Sequence, residues 1–131
     1  MIALDTNVLV RLLTRDDEKQ ANKARALLEK HADEDAAFFV SDIVLAELVW
    51  TLERSYDYDR DSIAETLKAL ADNATLGFES REVLRTAQRF FADAKAGFAD
   101  CLIAAKAQAA GCSSLVSFDK AMRALPTVEL L

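Results

Sequence analysis

The chain is poor in the residues that punctuate or staple a fold. Its 131 residues include one proline and three glycines. So few turn formers argue against a turn-rich all-β fold and against a disordered or linker-rich chain. Two cysteines, Cys101 and Cys112, cannot make a disulfide framework and lack C-x-x-C spacing. They read as small buried apolar residues. The one histidine, His31, stands near the end of a polar segment and reads as a surface residue. Ser–His or Cys–His catalysis is therefore poorly supplied, and so is a nuclease that uses two histidines as acid and base. No apolar run approaches the roughly 18 residues of a membrane-spanning helix. The N-terminal stretch lacks the charged start and long apolar run of a signal peptide. A soluble cytoplasmic protein is expected.

What is present suits one α/β domain over residues 1–131. Hydrophobic residues make up 52% of the chain, enough for a substantial core. The formal net charge is −6. Gripping nucleic acid by bulk electrostatics needs a basic face. Any such binding here would need local cations, a partner chain or bound metal.

Strand-like and helix-like segments alternate. "IAL" reads as a short strand, and "TNVLVRLLT" as a helix with Val8, Leu9, Leu12 and Leu13 on one side. A polar helix follows, striped by Ala21, Ala24, Leu27 and Leu28. "AAFFVS" is a buried strand. "SDIVLAELVWTLERS" is a helix started by Ser41 or Asp42. In "SIAETLKALAD", Ser62 and Glu65 have capping-box spacing. "ATLGFES" is a strand, and Ser80 is placed to cap "REVLRTAQRFFADAK". "FADCLIAAKAQAAG" ends at Gly111, a fitting C-cap. "SSLVSF" is a strand, "DKAMRAL" a short helix and "TVELL" a last strand. Strands separated by helices imply a mainly parallel sheet flanked by helices. Ligands bind such sheets beyond the carboxyl ends of the strands. Asp5 follows the first strand and Asp119 follows "SLVSF", so both are expected on that edge.

Asp5 has two readings: an N-cap for the helix after it, or a member of an acid cluster. Two other carboxylates bear on the choice. Glu47 lies inside "IVLAELVW", with Ile43, Val44 and Trp50 among its helical neighbours and no Lys or Arg to pair with it. Asp100 lies in "GFADCLIAA". An ionised carboxylate is costly to bury alone, and several converging would repel. A divalent cation removes that repulsion. All-oxygen ligation favours Mg²⁺ or Mn²⁺ over zinc.

The ordered segments "ALDTNVLVRLL", "SDIVLAELVWTL", "GFADCLIAAKAQAAGC" and "LVSFDKAM" resemble the successive motifs of PIN domains. Within that family they are most similar to the VapC ribonuclease toxins of type II toxin–antitoxin pairs. The resemblance runs from near residue 2 to near residue 125. It implies a Rossmann-like three-layer α/β/α sandwich with a mainly parallel central sheet. It maps the family's acidic site onto Asp5, Glu47, Asp100 and Asp119, with Thr6, Asn7 and Ser117 as supporting polar groups. Asp5 and Asp100 would be direct ligands of Mg²⁺, for which Mn²⁺ would substitute. Glu47 and Asp119 would complete the shell directly or through water. The implied activity is metal-dependent endoribonuclease cleavage leaving 5′-phosphate and 3′-hydroxyl ends. The implied partners are RNA, a second copy of the chain and a cognate VapB-type antitoxin.

Arg11 and Arg15 leave the first helix near the expected site and are candidates for phosphate contact. Their other reading is ordinary solvated helix charge. Two further functions compete. A haloacid-dehalogenase-like phosphatase also uses an early strand-end Asp, but needs a second Asp where Asn7 stands. A catalytically inert PIN-like interaction module would need no intact acid set.

Overall fold

The computed structural model describes residues 1–131 and divides into two compact units, Met1–Glu79 and Ser80–Leu131.

The first unit contains β1 (Ile2–Ala3), α1 (Thr6–Thr14), α2 (Glu18–Lys30), β2 (Phe38–Val40), α3 (Asp42–Ser55), α4 (Arg60–Asp72) and β3 (Leu76–Phe78). Its strands lie in the order β1-β2-β3 and pair in parallel, with Ile2 opposite Phe38 and Phe38 opposite Leu76. A parallel neighbour requires a long return path. Two helices supply each one: α1 and α2 between β1 and β2, then α3 and α4 between β2 and β3. The central strand is the most buried, with Phe38 and Val40 fully enclosed. Leu45, Leu48 and Leu52 recur at helical spacing on α3 and are also fully buried. Ile63 and Leu67 of α4 join this core.

The buried stripe of α1 is rotated from the expected one. Thr6, Leu9 and Val10 face inward, while Val8 is half-exposed. His31 is also less exposed than expected. Its ring meets Phe38 edge-on at 5.5 Å, and its Nδ1 lies 3.1 Å from Glu34 Oε1.

The second unit contains α5 (Arg81–Asp93), α6 (Phe98–Ala109), β4 (Leu115–Ser117), a 3₁₀ helix (Lys120–Ala124) and β5 (Val128–Leu130). Helices α5 and α6 pack together, with Ala87, Ala104 and Ala105 buried and Phe91 meeting Phe98 edge-on at 6.2 Å. Strands β4 and β5 form their own parallel pair, Leu115 opposite Val128. Parallel pairing therefore holds throughout, but its hydrogen bonds fall into one three-stranded and one two-stranded ladder. Cys101 is buried, whereas Cys112 is exposed in the turn after α6.

Local signals explain most boundaries. Ser41 and Ser80 cap α3 and α5 by accepting from the Val44 and Val83 N–H groups, each at 3.2 Å. The start of α4 differs from expectation. Asp59, not Ser62, is its cap, and Ser62 N–H donates to Asp59 Oδ1 at 2.8 Å. Gly111 closes α6 at φ +85, a conformation that favours glycine. Gly111 N–H bonds to the Gln108 carbonyl and Cys112 N–H to the Ala107 carbonyl, both at 3.0 Å. That pair of bonds is the Schellman closure.

Candidate acidic site

In the first unit, Asp5 lies just beyond the carboxyl end of β1 and occupies the N-cap position of α1. Its backbone has cap geometry, but its side chain makes no capping hydrogen bond. The carboxylate is exposed. Helix capping therefore explains its position and leaves its charge without a structural task. Next to it, the Thr6 hydroxyl is buried and has no hydrogen-bond partner, an arrangement that costs stability in a folded protein. Asn7 is exposed and lines a groove of about 300 Å³ with Arg11, Gln20 and Lys23.

Glu47 is exposed on α3, and its helical neighbours Ile43 and Trp50 are exposed with it. The apolar run around Glu47 thus spans two faces. Leu45, Leu48 and Val49 point into the core, and Glu47 keeps its water.

In the second unit, Asp100 sits in the first turn of α6, behind an N-cap glycine that supplies no side-chain bond. A carboxylate there is favoured by the helix dipole. Even so, its carboxyl is pushed above the usual range, first by partial burial and then by the charge of Asp119. Asp119 lies just beyond the carboxyl end of β4. Its Oδ1 accepts from the Ala121 N–H at 2.9 Å and caps the 3₁₀ helix. Ser117 Oγ in turn accepts from the Asp119 N–H at 2.9 Å. Ser117 thus holds the backbone of an acid that repels its neighbour.

The charge of Asp119 is felt at Asp100, and carboxylate oxygens are the donors that a hard divalent cation takes. No group of three or more His, Cys, Asp or Glu side chains stands in metal-holding geometry.

The two candidate arginines differ from each other in what surrounds them. Arg11 is already engaged: Nε donates to Gln20 Oε1 at 2.6 Å, and Nη1 lies 3.1 Å from Asp16 Oδ1. It also donates to the Tyr56 hydroxyl at 3.4 Å. An anchored guanidinium is a poorer phosphate ligand than a solvated one. Arg15 is exposed and ends α1 in the left-handed region at φ 56. The structure adds two cations that the sequence did not single out. Lys23 shares the groove with Asn7, and Arg54 lies over the Trp50 ring, 5.2 Å from its centroid. The i, i+4 spacing of Trp50 and Arg54 was the available signal.

Parallel strands joined through helices, with Asp5 and Asp119 just beyond strand ends, define an α/β class of protein. The chain belongs to the PIN-domain family, whose model matches residues 2–127. It is 29% identical over 125 residues to a VapC ribonuclease from Aquifex aeolicus, an alignment covering 95% of this chain and 92% of that protein. It is also similar to a chain in a solved toxin–antitoxin complex from Klebsiella pneumoniae. That likeness has 19% identity and a TM-score of 0.38, and it covers 98% of this chain and 96% of that one. No helix is long and apolar enough to cross a membrane.

Proposed function

We propose that the chain is a VapC-type toxin: a divalent-metal-dependent endoribonuclease restrained by a cognate VapB-type antitoxin. Membership of the PIN family and the similarity to a VapC ribonuclease support the class. The observation that carries the acidic-site reading is Asp100, a partly buried carboxyl raised first by that burial and then by the charge of Asp119. Asp5 is the third member on the strength of its uncommitted carboxylate, and Glu47 the fourth. Mg²⁺ or Mn²⁺ would be held by Asp5 and Asp100, with Glu47 and Asp119 direct or through water. Such an ion supplies charge neutralisation at phosphate and a more acidic attacking water.

The chain's own groups have separate tasks in this reading. Ser117 fixes the Asp119 backbone. Asn7 and the buried Thr6 hydroxyl follow Asp5 directly and would orient what binds there. Exposed cations hold the RNA backbone. The product carries a 5′-phosphate and a 3′-hydroxyl, so no 2′-hydroxyl nucleophile is needed. The family match from residue 2 to residue 127 supports reading the chain as one domain. A homodimer is the expected assembly, and the cytoplasm the expected location.

One assay tests the reading. The purified chain is given single-stranded RNA, DNA and a small phosphomonoester, with EDTA, Mg²⁺ or Mn²⁺. Metal-dependent RNA cleavage with 5′-phosphate ends is expected, and adding the product of the neighbouring gene should suppress it. Hydrolysis of the phosphomonoester alone would instead identify a phosphatase. No hydrolysis with metal bound would leave an inert interaction module.

A further inference from the structure

Helices α1 and α2 leave a groove of about 300 Å³ between them. Its floor is apolar: half-exposed Val8 from α1, with Ala24 and half-exposed Leu27 from α2. Its rim is polar, with Asn7 and Arg11 on the α1 side and Gln20 and Lys23 on the α2 side. No carboxylate lines it, although the chain as a whole carries a charge of −6. Arg11 is held by Gln20 and Asp16, but Lys23 is exposed and enters no ion pair. Because Gln20 Oε1 accepts from Arg11, the NH₂ group of that amide is left to donate. Asn7 stands two residues after Asp5, so one end of the groove lies within a helical turn of that candidate acid.

We propose that this groove seats one unpaired base of an RNA strand. The base lies on Val8, Ala24 and Leu27, the Gln20 amide donates to its edge, and Lys23 meets an adjoining phosphate. The inference rests on reading the chain as a ribonuclease, and it names the subsite that positions the strand beside Asp5. The only charges in the lining are positive, which suits a phosphate backbone. A second copy of the chain docked about a two-fold axis would set the same patch against itself, cation facing cation. A helix from another protein needs a row of apolar anchors over several turns. This floor has room for one flat group, at the small end of ligand pockets.

A chain of 131 residues can be followed residue by residue by NMR. In EDTA it is titrated with a short single-stranded RNA, with the same strand carrying abasic spacers, and with inorganic polyphosphate. Saturable shifts at the Gln20 side-chain amide and the Ala24 and Leu27 backbone amides are expected from the base-bearing strand, and much smaller ones from the other two. Lys23→Gln should reduce the slope of log K against log salt by about 0.7, the value for one phosphate contact on a single strand. Ala24→Leu fills the floor and should weaken the base-bearing strand about tenfold, the order expected when about 55 Å² of apolar contact is lost. The abasic strand should not notice it. Leu27→Ser, at a half-exposed position, removes part of the floor and should act in the same direction if Ala24→Leu disturbs the fold. With Mg²⁺, Lys23→Gln should raise KM and leave kcat near wild type.

If wild type cleaves RNA while the groove amides ignore the strand and Lys23→Gln keeps its KM, the subsite is wrong and the ribonuclease reading survives. If wild type neither binds nor cleaves RNA, both fail. Equal shifts from polyphosphate or the abasic strand would reduce the groove to a general anion contact and overturn the base subsite. If the product of the neighbouring gene moves these amides and RNA does not, the groove belongs to a protein partner and the proposal is overturned.

Discussion

Asp16 in the first unit and Asp100 in the second are treated in opposite ways. Asp16 accepts from the Tyr56 hydroxyl at 2.5 Å, from Thr14 Oγ1 at 3.1 Å and from Arg11 at 3.1 Å. Its carboxyl is held below the usual range, chiefly by Tyr56. Asp100 is partly buried beside another acid, and both influences raise it. The Asp16 cluster ties the end of α1 to the end of α3, and Asp16 has a structural task. Asp100 has none that would justify its surroundings. An acid kept in an unfavourable setting marks a candidate functional site, whereas one surrounded by donors marks architecture.

The largest test of this contrast is activity. Asp100→Asn should reduce metal-dependent RNA cleavage by more than the roughly 10–100-fold typical of losing a group one shell away from a metal. Asp16→Asn should leave cleavage near wild type. Circular dichroism checks that both variants fold. Equal activity of the two would remove the distinction.

Next in size is Thr6. Thr6→Val keeps the volume and removes a buried, unpartnered hydroxyl, so metal-free stability should rise by about 1 kcal/mol, measured by urea unfolding. A loss of stability would mean that the hydroxyl has a partner in solution.

Tyr56→Phe should lower the urea midpoint at pH 7. Because the folded carboxyl of Asp16 is depressed, the unfolded state binds more protons between that value and the ordinary 3.8. The contribution is therefore present above about 3.8 and is lost as pH falls through the depressed value. The midpoints of variant and wild type should converge in acid.

The smallest effect has the opposite sign. Asp100 is raised, so the folded state binds more protons above the ordinary 3.8. Stability without metal then falls as pH rises through the raised value. At pH 7 in EDTA, Asp100→Asn should stabilise the protein by less than about 1 kcal/mol, because solvent screens a half-exposed pair. Added Mg²⁺ should then raise the thermal midpoint of the variant less than that of wild type. A destabilised variant with an unchanged metal response would make Asp100 a structural acid.

The sequence alone determined those features whose physics is local. Alternating strand and helix patterns, the serine caps at Ser41 and Ser80, and the glycine closure at Gly111 depend on neighbours a few residues away. Asp59 was missed at α4 because two cap signals overlap there, and the earlier one captures the N–H of the later. The four candidate acids were legible as strand-end or helix-borne carboxylates, but their commitments were not. That Asp5 occupies a cap position without using its side chain is a matter of rotamer. That Glu47 keeps its water depends on which face of α3 meets the core. The anchoring of Arg11 involves Tyr56, 45 residues away, and no local pattern encodes that meeting. The repulsion between Asp100 and Asp119 likewise appears only when α6 and the end of β4 are brought together. Propensity acts over a turn of chain, whereas charge and burial act through space, and the tertiary structure decides which charges become neighbours.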